Sequence, residues 1–353
     1  METATNTENH RGISDDFRKD LKTGILMPLL ERVKKDSTLL LCIRKDYINI
    51  YYKGLNLLLI REIKESCPRC YSATFNTNYT QGGYDPKIPK EFMEKEIKSS
   101  ADAAKWVEYF PLIKQSIDCY NATKKNATEK EFQQLVAIEN GKAIKENKSG
   151  ETDYFIIDLE YSALEGSAKF DMLGIKWIAD KHVRKNPRKC RLVFFEIKYG
   201  SGAIETKPVK SGKSGAIKVT PGINKHISDF AKMSDAALLD LKIEAVEILR
   251  QLRDLGLVQL TDRHPEITGL KEGKPECILI LANYKPEHSA LLNELSSIQS
   301  DQGLDIKFAK ANWMGYGLYE SCMVPLERFK KELESAEALR KAPSEAAKRR
   351  QCE

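Results

Sequence analysis

The stretch CRLVFFEIKYGSG, residues 190–202, places a carboxylate and an ammonium at the end of a strongly apolar run that then breaks into glycine. The apolar run predicts a strand, and side chains alternate between the two faces of a strand. Glu196 and Lys198 therefore share one face, and Phe195 and Ile197 lie on the other. Such a pair could hold a cation and a phosphate side by side, although charged residues are also ordinary where a strand meets solvent.

Two neighbouring segments that also read as strands carry further carboxylates. YFIIDLEYSA places Asp158 and Glu160 on one face, and AKFDMLGIKW contains Asp171. Like charges that leave water cost several kcal/mol each, so a cluster of these acids requires a cation. Carboxylate oxygens suit Mg²⁺ or Mn²⁺, which take one or two carboxylates together with a substrate phosphate. Lys198 would hold a water and offset charge on that phosphate. The alternative for Asp158 and Glu160 is the solvated face of an edge strand.

The elements that must position these residues follow an αβββαβ order. A helix is predicted from Thr128 to Lys145, and its opening residues Thr128 to Glu131 form a capping box. After it the pattern predicts strands at 154–161, 168–179 and 190–199, a glycine- and lysine-rich loop at 200–222, a helix at about 223–255, a strand at 276–284, a helix at 286–299 and a strand at 304–310. The fold class is therefore α/β.

The N-terminal third has a different organisation. An amphipathic helix is predicted from Ser14 to about Lys35, and three β-rich runs separated by short breaks follow it. A fourth run, YSATFNTNY at 71–79, completes a small antiparallel meander, and a helical segment is predicted from about Lys90 to Tyr120. This is a separate α+β region of unassigned role over residues 1–125.

Asp171, followed in the next strand by Glu196-Ile197-Lys198, resembles the D…(D/E)xK signature of the PD-(D/E)XK nuclease superfamily. The resemblance covers about residues 128 to 310 and implies a restriction-endonuclease-like αβββαβ core. It implies Asp171 and Glu196 as metal ligands and Lys198 as the catalytic lysine. Glu160 matches an extra acidic ligand of some members. The proline of the motif is replaced by Phe170. The resulting domain division is 1–125, a nuclease-type domain at 126–330, and a charged tail at 331–353.

Two helices would add residues to the site that this resemblance implies. Glu131 or Glu139 could match the glutamate that some members carry on the first core helix, although both also suit a solvent-facing position. His226 opens the helix after the third strand and is a candidate for the polar catalytic residue that this helix often supplies. The alternative is that His226 caps its helix or pairs with Asp229.

The loop at 200–222 combines lysines with glycines. Lys207, Lys210, Lys213 and Lys218 could contact a nucleic-acid backbone while the glycines let the chain approach phosphates closely. The alternative is a solubilising insertion. Its SGKSG sequence resembles the end of a phosphate-binding loop, but the required first glycine is Lys207. Elsewhere, Cys67-Pro-Arg-Cys70 is half of a zinc-binding pattern without a second pair at suitable spacing.

The composition sets the expected class of protein. The chain has 353 residues, 41% of them hydrophobic, with 57 basic and 51 acidic side chains, which permits a nucleic-acid partner without requiring one. Eight scattered cysteines, no secretory signal and no long apolar segment favour a cytoplasmic protein without membrane attachment.

We therefore expect a nuclease that depends on Mg²⁺ or Mn²⁺ and hydrolyses phosphodiester bonds in DNA, with RNA the less favoured substrate. Restriction and antiphage defence are roles that such nucleases often have. The alternative is a nucleic-acid-binding or scaffold protein that has a nuclease-like fold without catalysis. The N-terminal region could bind a partner protein or a second copy of the chain.

Overall fold

The protein is a mixed α/β structure with a four-stranded antiparallel sheet and a six-stranded mixed sheet. The structure is a computed structural model. It describes residues 11–64, 68–124, 127–141, 152–162, 169–178, 186, 189–200, 207–210, 217–220, 222–258, 265–282, 291–296, 298, 303–311, 318, 320 and 323–341.

The N-terminal region builds its sheet as a meander, as predicted. Its strands are β1 (Leu39–Ile43), β2 (Tyr47–Tyr52), β3 (Leu55–Glu62) and β4 (Tyr71–Thr74), which pair antiparallel in sequence order. The helices are α1 (Asp15–Thr23), α2 (Met27–Lys35), α3 (Lys90–Met93) and α4 (Ser100–Ala122), and a 3₁₀ helix spans Thr77–Gly82.

Two helix predictions in this region are wrong. The single helix expected from Ser14 to Lys35 is two helices, because Gly24 is extended and Pro28 in the first turn of α2 has no N–H to continue a helix. The helix expected from Lys90 to Tyr120 is also divided. Ser99 starts its longer part, α4, and accepts a hydrogen bond from the backbone N–H of Asp102.

The second region contains helices α5 (Ala127–Glu139), α6 (Ile223–Ala231), α7 (Asp235–Asp254), α8 (Leu291–Ser296) and α9 (Leu326–Lys341). Its strands are β5 (Tyr154–Ser162), β6 (Lys169–Lys176), β7 (Arg191–Tyr199), β8 (Lys207–Lys210), β9 (Ile217–Thr220), β10 (Glu276–Ala282), β11 (Asp305–Ala311) and β12 (Val324–Pro325). The six-stranded sheet has the order β12-β11-β10-β7-β6-β5. Strands β5, β6 and β7 are antiparallel, whereas β7, β10 and β11 are parallel.

Several predicted boundaries in this region change. The helix expected to reach Lys145 ends at Glu139, and the helix expected at 223–255 is two helices because Ser234 caps a new one. The loop expected at 200–222 contains β8 and β9, which pair with each other antiparallel. The predicted tail from residue 331 continues helix α9 to Lys341, with Leu333 buried.

The core lies on both faces of the six-stranded sheet. On one face Phe170 stacks on Phe194 at 4.2 Å between ring centroids, in an apolar cluster that continues into the N-terminal region. On the other face Phe195 packs in a cluster with Phe132 of α5. Both faces of the sheet are thus covered. Asp171, Glu196 and Lys198 lie on β6 and β7, near helices α5 and α6.

Candidate active site

Strand β7 places Glu196 and Lys198 on one face, as the alternation predicts. Leu192 and Phe194 of the same face belong to the core shared with the N-terminal region, while Phe195 belongs to the opposite cluster. The side chains of Glu196 and Lys198 are buried, with 2% and 7% of their residue surface exposed. The Lys198 Nζ donates to Glu196 Oε1 over 2.6 Å. A buried ion pair therefore ends this strand.

Asp171 on β6 is joined to the same strand. Its Oδ2 accepts a hydrogen bond of 2.7 Å from the backbone N–H of Ile197, between Glu196 and Lys198. Burial raises the pKa of Asp171 to about 6, although the charge of Lys198 acts in the opposite direction. Burial and the nearby charge of Asp171 raise the pKa of Glu196 well above its usual range. The structure thus brings two carboxylates together with one ammonium.

Lys198 remains an ammonium in this environment. Burial acts to lower the pKa of Lys198, but the carboxylates of Glu196 and Asp171 outweigh it and raise that pKa. A single positive charge faces two carboxylates, so the cluster carries an excess of potential negative charge. This imbalance is the electrostatic feature that a bound cation would relieve.

His226 lies beside the same carboxylate. Its Nε2 is 3.3 Å from Glu196 Oε1. His226 lies in the first turn of α6, which starts at Ile223 after the N-cap Gly222. Burial and the charge of Lys198 lower the pKa of His226 to about 4, so the imidazole is neutral at pH 7. The alternative partner, Asp229, pairs with Lys225.

Asp158 and Glu160 lie in different environments and have different partners. The backbone of Glu160 is left-handed, with φ of 47°, which interrupts the alternation of β5. Asp158 is buried and pairs with Arg11 and Arg44 of the N-terminal region. Glu160 is exposed, and its carboxylate pairs with Lys130 at 2.7 Å. Glu160 therefore lies at the rim of the site, in an ion pair of its own.

The helical glutamate at the site is Glu129, a residue that the sequence pattern did not single out. Its Oε2 accepts a hydrogen bond of 3.1 Å from the backbone N–H of Tyr199, and its charge affects the pKa of Asp171, Glu196 and Lys198. Glu131 instead pairs with Lys53 at 3.6 Å, and Glu139 is the last residue of α5.

Helical spacing identifies Glu129 only once the buried face of α5 is known. Val136 and Gln133 are buried on α5, and Gln133 donates to the backbone carbonyl of Asp171. Counting back four residues from Gln133 leads to Glu129 on the same face, whereas Glu131 lies on another. The buried face of the helix therefore predicts which glutamate reaches the strands.

The donor set fits a hard divalent cation. Within the described ranges, no group of three or more histidine, cysteine, aspartate or glutamate side chains is placed to hold a metal ion. Mg²⁺ needs fewer, because it usually keeps several waters and binds through one or two carboxylates and substrate phosphates. Asp171 and Glu196 could supply two such carboxylates.

Other predicted positions are only partly described. Lys207 and Lys210 are the end residues of β8, and Lys218 pairs with Val209 in the β8–β9 register. Lys213, the SGKSG sequence at 211–215 and Cys67 lie outside the described residues. Cys70 is buried, and its thiol is 3.5 Å from a carboxylate oxygen of Glu96.

No family model matches the sequence, and no curated protein or solved structure matches the chain. Across the described residues, none of the helices combines the length and the apolar character needed to cross a membrane.

Proposed function

We propose that the protein is a metal-dependent nuclease that hydrolyses phosphodiester bonds in DNA. The observation that carries the proposal is the cluster of Asp171, Glu196 and Lys198, in which the Ile197 N–H joins Asp171 to the strand of the other two. With the β8–β9 pair inserted before α6 and with α7 following α6, the elements α5, β5, β6, β7, α6 and β10 occur in the αβββαβ order of the superfamily that the motif resembles, which supports a restriction-endonuclease-like core.

Each residue of the cluster has a distinct role in this proposal. Asp171 and Glu196 would hold the divalent cation, which when bound would supply positive charge to the scissile phosphate. Lys198 orients the attacking water and offsets the charge that develops on the phosphate. His226, neutral at pH 7, lies with its Nε2 3.3 Å from Glu196 Oε1 and would support that carboxylate. Glu129 holds the backbone of Tyr199, next to Lys198.

The ion pair between Lys198 and Glu196 has a consequence for metal binding. Lys198 and His226 both contact Glu196 Oε1. If Glu196 held a divalent cation through this oxygen, the cation would share the oxygen with Lys198 or compete with Lys198 for it.

Cleavage of supercoiled plasmid DNA tests the proposal. The purified protein should nick or linearise the plasmid in Mg²⁺ or Mn²⁺ and stop in excess chelator, while Ca²⁺ should support DNA binding without turnover. Asp171→Asn should lower the rate by about 10²–10³, the typical cost of losing one electrostatic stabiliser. Undiminished cleavage in chelator would exclude the metal mechanism. A parallel reaction on RNA of matched length distinguishes the two substrates.

A further inference from the structure

One face of helix α5 is bound to β6 and β7, the strands that carry Asp171, Glu196 and Lys198. Gln133 donates from Nε2 to the carbonyl oxygen of Asp171, and Glu129 accepts from the backbone N–H of Tyr199. The two residues are four apart, so they lie on one face of the helix. The position of α5 therefore sets the backbone of β6 at Asp171 and that of β7 beside Lys198.

A neighbouring face of α5 is bound to the N-terminal sheet through one buried amide. Gln134 is 2% exposed. Its Nε2 donates to the carbonyl oxygens of Thr38 and Tyr51 over 2.9 and 3.2 Å, and its Oε1 accepts from the backbone N–H of Gly54 over 2.6 Å. Both donors and the acceptor of this amide are satisfied by the N-terminal region. Buried amide groups without partners are costly, so the contact fixes the helix against the sheet.

The turn between β2 and β3 approaches the same helix closely. Gly54 has φ of +73°, and a Cβ added there would lie 2.3 Å from the backbone carbonyl oxygen of Lys130. Only a glycine fits between this turn and α5. The flanking ion pair between Lys53 and Glu131 extends the same contact. The turn thus touches the helix within one residue of Glu129.

We infer that the N-terminal sheet is a positioning element of the active site and acts through α5, with Gly54 and Gln134 as its positioning residues. The N-terminal sheet keeps α5 in the position in which Gln133 and Glu129 can bind the backbones of β6 and β7. This inference rests on the proposed function and adds a role for residues 1–125: the nuclease site is complete only when the N-terminal sheet is in place.

The test compares Gly54→Ala with Gly83→Ala. Gly83 also has a left-handed φ, +92°, but a Cβ there would meet no atom within 4 Å. Both substitutions therefore strain the backbone, and only Gly54→Ala displaces α5. Gly54→Ala should weaken Mn²⁺ binding, measured by titration calorimetry, and lower kcat by about 10–100-fold, the usual effect of disturbing residues that orient metal ligands. The KM for DNA should not change. Gly83→Ala should match the parent in both measurements.

A second pair of variants covers the case in which Gly54→Ala does not fold. Gln134→Met removes the amide that binds α5 to the sheet. Gln251→Met removes an equally buried amide with bonds to Ile13 and Glu247, away from α5. The two variants should lose comparable thermal stability, but Mn²⁺ affinity and kcat should fall only in Gln134→Met.

Three outcomes separate the claims. If the parent binds Mn²⁺ and cleaves DNA while Gly54→Ala and Gln134→Met equal their controls, the positioning role is wrong and the proposed function stands. If the parent neither binds Mn²⁺ nor cleaves DNA, both are overturned. If only Gly54→Ala and Gln134→Met lose Mn²⁺ affinity and kcat, the positioning role is supported.

Discussion

Asp171→Asn should stabilise the metal-free protein at pH 8. Asparagine keeps the shape of the side chain and an oxygen that can accept the Ile197 N–H, so the substitution mainly removes the charge. Burial raises the pKa of Asp171 from its ordinary value of 3.8 to about 6. The folded protein therefore carries a carboxylate that it holds less favourably than the unfolded chain does.

The sign and size of the effect follow from proton linkage. Between pH 3.8 and about 6 the folded state binds more protons at Asp171 than the unfolded state, so stability falls as pH rises through this window. The two pKa values differ by about 2, and one pKa unit corresponds to about 1.4 kcal/mol, which sets an upper limit of about 3 kcal/mol. The variant should exceed the parent by up to this amount at pH 8 and by little at pH 4.

A bound metal should close this gap in stability. A ligand at 100 times its Kd stabilises the folded state by about 2.7 kcal/mol. The parent should gain this stability from Mn²⁺, whereas Asp171→Asn should gain much less because it has lost one of two carboxylate ligands.

Urea titrations at pH 4 and pH 8, each in chelator and in Mn²⁺, measure the free energy of unfolding of the parent and of Asp171→Asn under these four conditions. Glu160→Gln is the control, because its exposed pair with Lys130 should contribute at most about 1 kcal/mol. A parent that is as stable as Asp171→Asn in chelator at pH 8 would refute the claim that the charge of this carboxylate is only partly compensated in the folded protein.

Two further predictions concern regions outside the cluster. Changing Lys207, Lys210, Lys213 and Lys218 to glutamine should weaken DNA binding and reduce the slope of log K against log salt by roughly 0.9 for each phosphate that the variant no longer binds, measured by fluorescence anisotropy at several salt concentrations; an unchanged slope would mean that DNA is held elsewhere. Asp158→Asn should lower the free energy of unfolding by about 3–5 kcal/mol in urea titrations, because it leaves the buried Arg44 and the part-buried Arg11 without their shared carboxylate; a change below about 1 kcal/mol would contradict the assigned ion pairs.

The sequence predicted the strands of the site well because their signals are local. Alternation in CRLVFFEIKYGSG identified which side chains of β7 face together, and the order of elements placed Asp171 on the neighbouring strand. The short strands β8 and β9 were missed, since four residues each among glycines and lysines give little periodicity.

The pairings that decide Asp158 and Glu129 could not be read from local pattern. Arg44 lies 114 positions before Asp158, so nothing near Asp158 in the chain distinguishes a buried ion pair from a metal ligand. Glu160 departs from the alternation because its backbone is left-handed, which a non-glycine residue rarely adopts. Glu129 required knowledge of which face of α5 packs on the sheet.

The central claim is that Lys198 belongs to a site that cleaves phosphodiester bonds, and a comparison of two buried lysines tests it most directly. Lys307 pairs with Glu320 at 2.8 Å on the opposite face of the same sheet, so Lys307→Met is a matched control for Lys198→Met. In single-turnover DNA cleavage with Mn²⁺, Lys198→Met should be slower than the parent by about 10²–10³ while binding DNA equally well in Ca²⁺. Lys307→Met should keep the parent rate. Equal cleavage rates for Lys198→Met and Lys307→Met would contradict the account.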